Sequence, residues 1–172
     1  MITRCRGRCV LLIVALFLPI AVGAAQNTSS IPSQLYGKWR VRRIIPTRTI
    51  TCWDQHQADS LLGSVIEYSP TIFSWKNQVV PNPIAASKTM TATEFHDEYS
   101  GGGAADSQVD FRQLGINTLS VTLISVDHPD ANVTGGGTVE IPGDTVLLYS
   151  KDRIILTVCN VWFEAVRIDA RK

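Results

Sequence analysis

The stretch LYGKWRVRRII, Leu35 to Ile45, decides how this chain is read. A glycine stands two residues before a tryptophan, and an alternating basic segment follows. A period of two sends Trp39 and Val41 to one face of a strand and Lys38, Arg40 and Arg42 to the other. Pro46 ends the strand, because proline has no ladder donor. The stretch then either marks the first strand of a closed β-barrel or holds one tryptophan in one strand. The basic face is read as a solvated strand face.

The residues before this stretch have the order of a secretory signal. Arg4, Arg6 and Arg8 form a basic front, an apolar run extends from Val10 to Val22, and Gly23, Ala24 and Ala25 close it. The run falls short of the ~20 residues that a spanning helix needs, and it contains Pro19. The expectation is a cleaved signal peptide over 1–25 and one domain over 26–172, secreted or periplasmic, with no stable membrane span after cleavage. Cys5 and Cys9 precede the apolar run, which argues against a lipidated cysteine.

The whole chain has 16 Lys+Arg and 15 Asp+Glu; loss of the three leader arginines leaves 13 against 15, a net charge of −2. That balance is no footprint for nucleic acid, which calls for a basic excess. The remaining length suits one domain with a sizeable core.

Cys52 and Cys159 are the two cysteines beyond the leader. In an oxidising compartment they are expected to pair as a disulfide. The alternatives are two buried free cysteines and an activated thiol, which no neighbouring residue supports.

Strand signals dominate the rest. Gln55 to Leu62 reads as one short helix, with Asp54 as its cap and Gly63 as its stop. SVIEY and TIFSW form a hairpin about Ser69-Pro70. Pro81 and Pro83 bar VVPNPIAAS from a central strand. The Thr-rich segment Lys88 to His96 reads as a strand, and LSVTLISV, Leu119 to Val126, as another. TVLLY, RIILTVC and VWFEAVRI are three apolar runs joined by short turns, the last through Asn160. Short turns make antiparallel neighbours. The expected fold is all-β: an eight-stranded antiparallel up-and-down barrel with one short helix after the first strand. A sandwich competes with it.

Gly37-Lys38-Trp39 resembles the Gly-x-Trp of the lipocalin and wider calycin group. In that group the tryptophan plugs the closed end of an eight-stranded barrel, and an arginine near the last strand packs across it. Arg167, in FEAVRI, is the matching residue here. The chain is also similar to short exported bacterial proteins with a lipocalin-like domain. The resemblance implies a structural role for Trp39 and Arg167, and a barrel that either holds a small ligand or fills with side chains.

A barrel does not by itself imply an activity. No Gly-x-Ser-x-Gly, His-Glu-x-x-His, phosphate loop or dinucleotide fingerprint is present, so the chain is expected not to be an enzyme and to need no cofactor. His56 lies near Cys52, Asp54 and Asp59, too few free ligands for a metal. Glu94 and His96, with Asp97 and Glu98, form the most polar cluster, beside a Gly-rich loop. His128 reads as a turn residue. Asn27-Thr28-Ser29 and Asn132-Val133-Thr134 fit the glycosylation sequon.

The first functional expectation is a small apolar or amphipathic ligand held in the barrel mouth, with Leu119, Val121, Leu123, Tyr149 and Phe163 as lining residues. The second is a filled barrel acting as an exported interaction or inhibitor module, which would meet a protein partner through the loops 97–117 and 127–144.

Overall fold

The computed structural model describes residues 27–47, 51–99, 109–128 and 140–168. The expected signal peptide, the Asn132 sequon and the middle parts of the loops 97–117 and 127–144 lie outside the described residues.

Ten strands form one antiparallel sheet. They are β1 (Asn27–Ser30), β2 (Gly37–Ile45), β3 (Val65–Tyr68), β4 (Ile72–Trp75), β5 (Gln78–Pro81), β6 (Ile84–Thr91), β7 (Ser120–Asp127), β8 (Thr145–Leu148), β9 (Arg153–Val158) and β10 (Val161–Ile168). Two helices accompany them, α1 (Gln55–Asp59) and α2 (Ala92–Tyr99). The strand order is β1-β6-β7-β8-β9-β10-β2-β3-β4-β5. Thus two up-and-down meanders, β2 to β5 and β6 to β10, are joined where the last strand pairs with β2.

All-β antiparallel architecture is what the alternating sequence leads one to expect, but the details differ. There are ten strands and two helices among the described residues, not eight and one. β1 and β5 are the outermost strands of the order, and no ladder joins them to each other. β5 contains Pro81, in keeping with an edge position.

The sheet curls so that its two wings share one core. Ile66, Tyr68 and Phe73 from one wing meet Ala85, Ile124 and Val126 from the other in a single buried cluster with Trp39, Leu156 and Phe163. The opposite, outer face carries a second cluster. There α2 and the segment Val109–Ile116 lie over Met90, Val121, Leu123, Leu147, Ile155 and Trp162. β9 is therefore buried on both faces beyond Arg153, which accounts for its unbroken apolar run.

A β-bulge lets β2 serve both layers. Glu164 lies opposite Arg43, and Ala165 opposite Val41, so Arg42 is the extra residue. Before it, Trp39 and Val41 point inward; after it, Ile45 points outward into the second cluster. Cys52 and Cys159 form a disulfide with Cα atoms 5.2 Å apart. It ties the segment after β2 to the β9–β10 turn, where Cys159 and Asn160 both take positive φ, the requirement of a tight hairpin.

Candidate functional site

The narrow end of the curled sheet is built around Trp39. A 3₁₀ turn at Ser33–Leu35 crosses this end and buries Leu35. The Trp39 indole N–H donates to the Leu35 carbonyl at 2.7 Å. The Arg167 guanidinium lies 4.1 Å from the centre of the Trp39 ring. It also donates to the Tyr36 carbonyl, to the Gln34 carbonyl at 2.7 Å and to the Lys151 carbonyl at 3.0 Å. One cation thus satisfies three carbonyls and stacks on one indole, a use of the planar fork that lysine cannot reproduce.

Inside, the space is occupied. Trp39, Tyr68, Phe73 and Phe163 are all at most 1 % exposed. Tyr68 and Phe73 stack with ring centres 5.2 Å apart. The turn before β8 closes the other side: the Tyr68 hydroxyl donates to the Gly143 carbonyl at 2.8 Å, and Ile141 joins the inner cluster.

The residues expected to line a ligand site do not converge. Phe163 belongs to the inner cluster. Val121 and Leu123 face the outer layer, and Tyr149 packs against it. Leu119 precedes β7 and is 92 % exposed. The strand parity that groups Val121 with Leu123 is correct, but one face of β7 looks as apolar as the other, so sequence could not say which turned inward.

Four grooves on the described surface are lined by residues other than Trp39, Tyr68, Phe73 and Phe163. One groove of ≈ 520 Å³ lies at the narrow end, between Ser33, Gln34, Leu148, Tyr149, Lys151 and Arg167. Burial raises the Tyr149 phenol above its ordinary range, with a smaller contribution from Glu164.

The histidines are placed differently from one another. His56 is exposed on α1, whose Asp54 cap forms a reciprocal capping box with Gln57. His96 lies on α2, not on a strand, so it shares no strand face with Glu94. The missed signal is Thr91-x-x-Glu94: the Thr91 N–H donates to the Glu94 carboxylate at 2.7 Å and Thr91 Oγ1 accepts from the Glu94 N–H at 3.3 Å. This capping box starts a helix, and Phe95 and Tyr99, four apart, pack on Trp162. His128 follows β7 and is 5 % exposed. Its Nε2 lies 3.4 Å from Asp144 Oδ2, which also accepts from the Ile141 N–H at 2.9 Å. Burial raises the Asp144 carboxyl above its usual range, against the lowering by the Ile141 N–H and His128.

The uncovered part of the outer face is the most charged feature of the sheet. Lys38, Arg40, Arg42 and Arg43 project from β2, and Arg153 from β9. Arg43 donates twice to Glu164 Oε2, at 2.9 and 2.6 Å, and Arg153 approaches Oε1 at 3.9 Å. Lys38 pairs with Glu67 at 3.6 Å. Among the described residues, Arg40 and Arg42 have no carboxylate partner.

Among the described residues there is no group of three or more His, Cys, Asp or Glu side chains able to hold a metal ion, and no helix long and apolar enough to cross a membrane. No family model, curated protein or solved structure matches this chain.

Proposed function

We propose that this chain is an exported, non-enzymatic binding module of lipocalin-like build that keeps its interior filled and recognises its partner with its outer surface. The observation that carries the reading is the occupied interior: four aromatic side chains fill the volume that a ligand would need. The Gly37, Trp39 and Arg167 arrangement at the narrow end supports the kinship, and the curl of the sheet supports descent from a closed barrel. The disulfide fits an oxidising compartment.

The test is native mass spectrometry on the freshly purified protein. The expected spectrum is the mass of the chain alone. A stoichiometric small molecule lost on Phe163→Ala or Tyr68→Phe would overturn the filled-interior reading.

One observation favours a second reading. The groove at the narrow end pairs an apolar wall, Leu148 and Tyr149, with the Lys151 ammonium, the Arg167 guanidinium and the Asp152 carboxylate, a combination suited to a small amphipathic molecule that carries an anionic group. A co-purifying molecule lost on Lys151→Gln, with Phe163→Ala harmless to its binding, would select that reading.

A further inference from the structure

The outer layer of α2 and Val109–Ile116 covers one end of the outer sheet face, and no described residue packs over the other. On that other end the register aligns Arg153, Val166, Arg40 and Val65 in one row across β9, β10, β2 and β3. The adjacent row runs Ile168, Lys38, Glu67, Ser74 and Val79 across β10, β2, β3, β4 and β5. Strands sit ~4.8 Å apart, and same-face residues on one strand ~6.7 Å apart. The cations are therefore spread as a lattice, not collected in one pocket.

Two further properties bear on the partner. First, among the described residues the face carries five cations (Lys38, Arg40, Arg42, Arg43, Arg153) against two carboxylates (Glu67, Glu164), on a chain whose charge without the leader is −2. Charge segregated in this way orients a molecule in an external field. Second, the same outer face ends in exposed apolar side chains. Ile72 is 41 % and Val79 59 % exposed. Both point away from the core, because their neighbours Phe73 and Val80 point into it.

We propose that this face docks on the surface of an anionic lipid bilayer. This rests on the surface-binding reading above and names its partner. Phosphate groups of the headgroup layer would meet Arg40 and Arg42, which no described carboxylate pairs with, while Ile72 and Val79 would enter the boundary with the acyl chains. An acidic protein segment would satisfy the arginines but give Ile72 and Val79 no reason to share the face with them.

Co-sedimentation tests the proposal, using vesicles of phosphatidylcholine alone and of phosphatidylcholine with one third phosphatidylglycerol. The chain is expected to bind the anionic vesicles alone, and less as salt rises. Arg40→Gln with Arg42→Gln should weaken that binding about 30-fold, at roughly one charge's worth of surface attraction per arginine. Ile72→Ser with Val79→Ser should weaken it several-fold at unchanged charge. Both pairs are solvent-exposed, and near-ultraviolet circular dichroism verifies that each variant is folded. Equal binding to both vesicles, no binding, or binding indifferent to either pair would overturn the proposal. Soluble polyglutamate serves as the control for an acidic protein partner. If the arginine pair controls its capture while vesicles are ignored, the lipid is wrong and surface recognition stands. If native mass spectrometry also finds an interior ligand, surface recognition falls too.

Discussion

Gly37 shows how much one residue of the opening stretch decides. Its φ is +120°, and a Cβ there would lie 3.0 Å from Arg167 Nη1. Any side chain would therefore meet both backbone strain and the guanidinium that covers Trp39. Gly37→Ala is expected to lower stability by about 1–3 kcal/mol, while Lys38→Ala next to it stays within about 0.5 kcal/mol. Urea unfolding at neutral pH measures both, and equal midpoints for the two variants would contradict the account. The Gly-x-Trp spacing was legible in the sequence because it is local. Gly143 was not: its constraint comes from Tyr68, Ile66 and Phe73, which an added Cβ would meet at 2.5, 3.1 and 3.2 Å, and nothing around IPGD points to them. His128 is the same case, since its partner Asp144 lies 16 residues on, beyond any local pattern.

At the scale of elements, the hairpins of the C-terminal third were legible because alternation and short turns act within a few residues. The outer layer was less so. Thr and β-branched side chains around Lys88–Thr91 continue a strand pattern, and the capping box that ends it was outweighed by that composition. The bulge at Arg42 was invisible, because the doubled Arg42-Arg43 and Ile44-Ile45 do not say where the extra residue lies until the partner strand is known. It yields a sharp prediction. Deleting Arg42 would make the pairing continuous while leaving Arg43, Ile44 and Ile45 opposite Glu164, Phe163 and Trp162, on their present faces. The deletion should therefore still give a cooperative thermal transition, whereas an alanine inserted between Arg43 and Ile44, which sends Ile44 and Ile45 to each other's faces, should abolish it. An insertion variant that melts like the parent would show that register is fixed elsewhere. Cys52–Cys159 supplies a second element-level tie. It closes 107 residues, worth about 4–5 kcal/mol in the chain-entropy model. Loss of most of that stability on Cys52→Ala with Cys159→Ala, read by urea unfolding, is the expected result.

Across the whole molecule, two apolar layers on opposite faces of one curled sheet explain why ligand-lining residues could not be chosen from sequence: both faces of β7, β8 and β9 are apolar, and parity alone does not say which looks inward. The same double layering sets the response to alkali. Tyr68 is held well above its ordinary range by burial and then by the charge of Asp144. Tyr99 is pushed up to about 12, first by burial and then by Glu98; Tyr149 is raised as well. One of these phenols lies in the inner layer and the other two against the outer layer. In the unfolded chain each releases its proton near pH 10, while the folded protein retains it. The unfolded state then binds fewer protons, so stability must fall as pH climbs from 10 towards the folded values. Tyr99 alone contributes about 3 kcal/mol of that fall. Tyrosinate absorbance from Tyr68 and Tyr99 should therefore rise late and together with the loss of near-ultraviolet circular dichroism, because the layers must open to release these two protons. Tyr68→Phe should cost about 1–2 kcal/mol at neutral pH, since the Gly143 carbonyl loses its donor, yet flatten the decline above pH 10. If these tyrosines titrate near pH 10 in a protein that keeps its circular dichroism, the layers do not seal them, and the filled interior on which the surface-binding reading stands would have to be open to water.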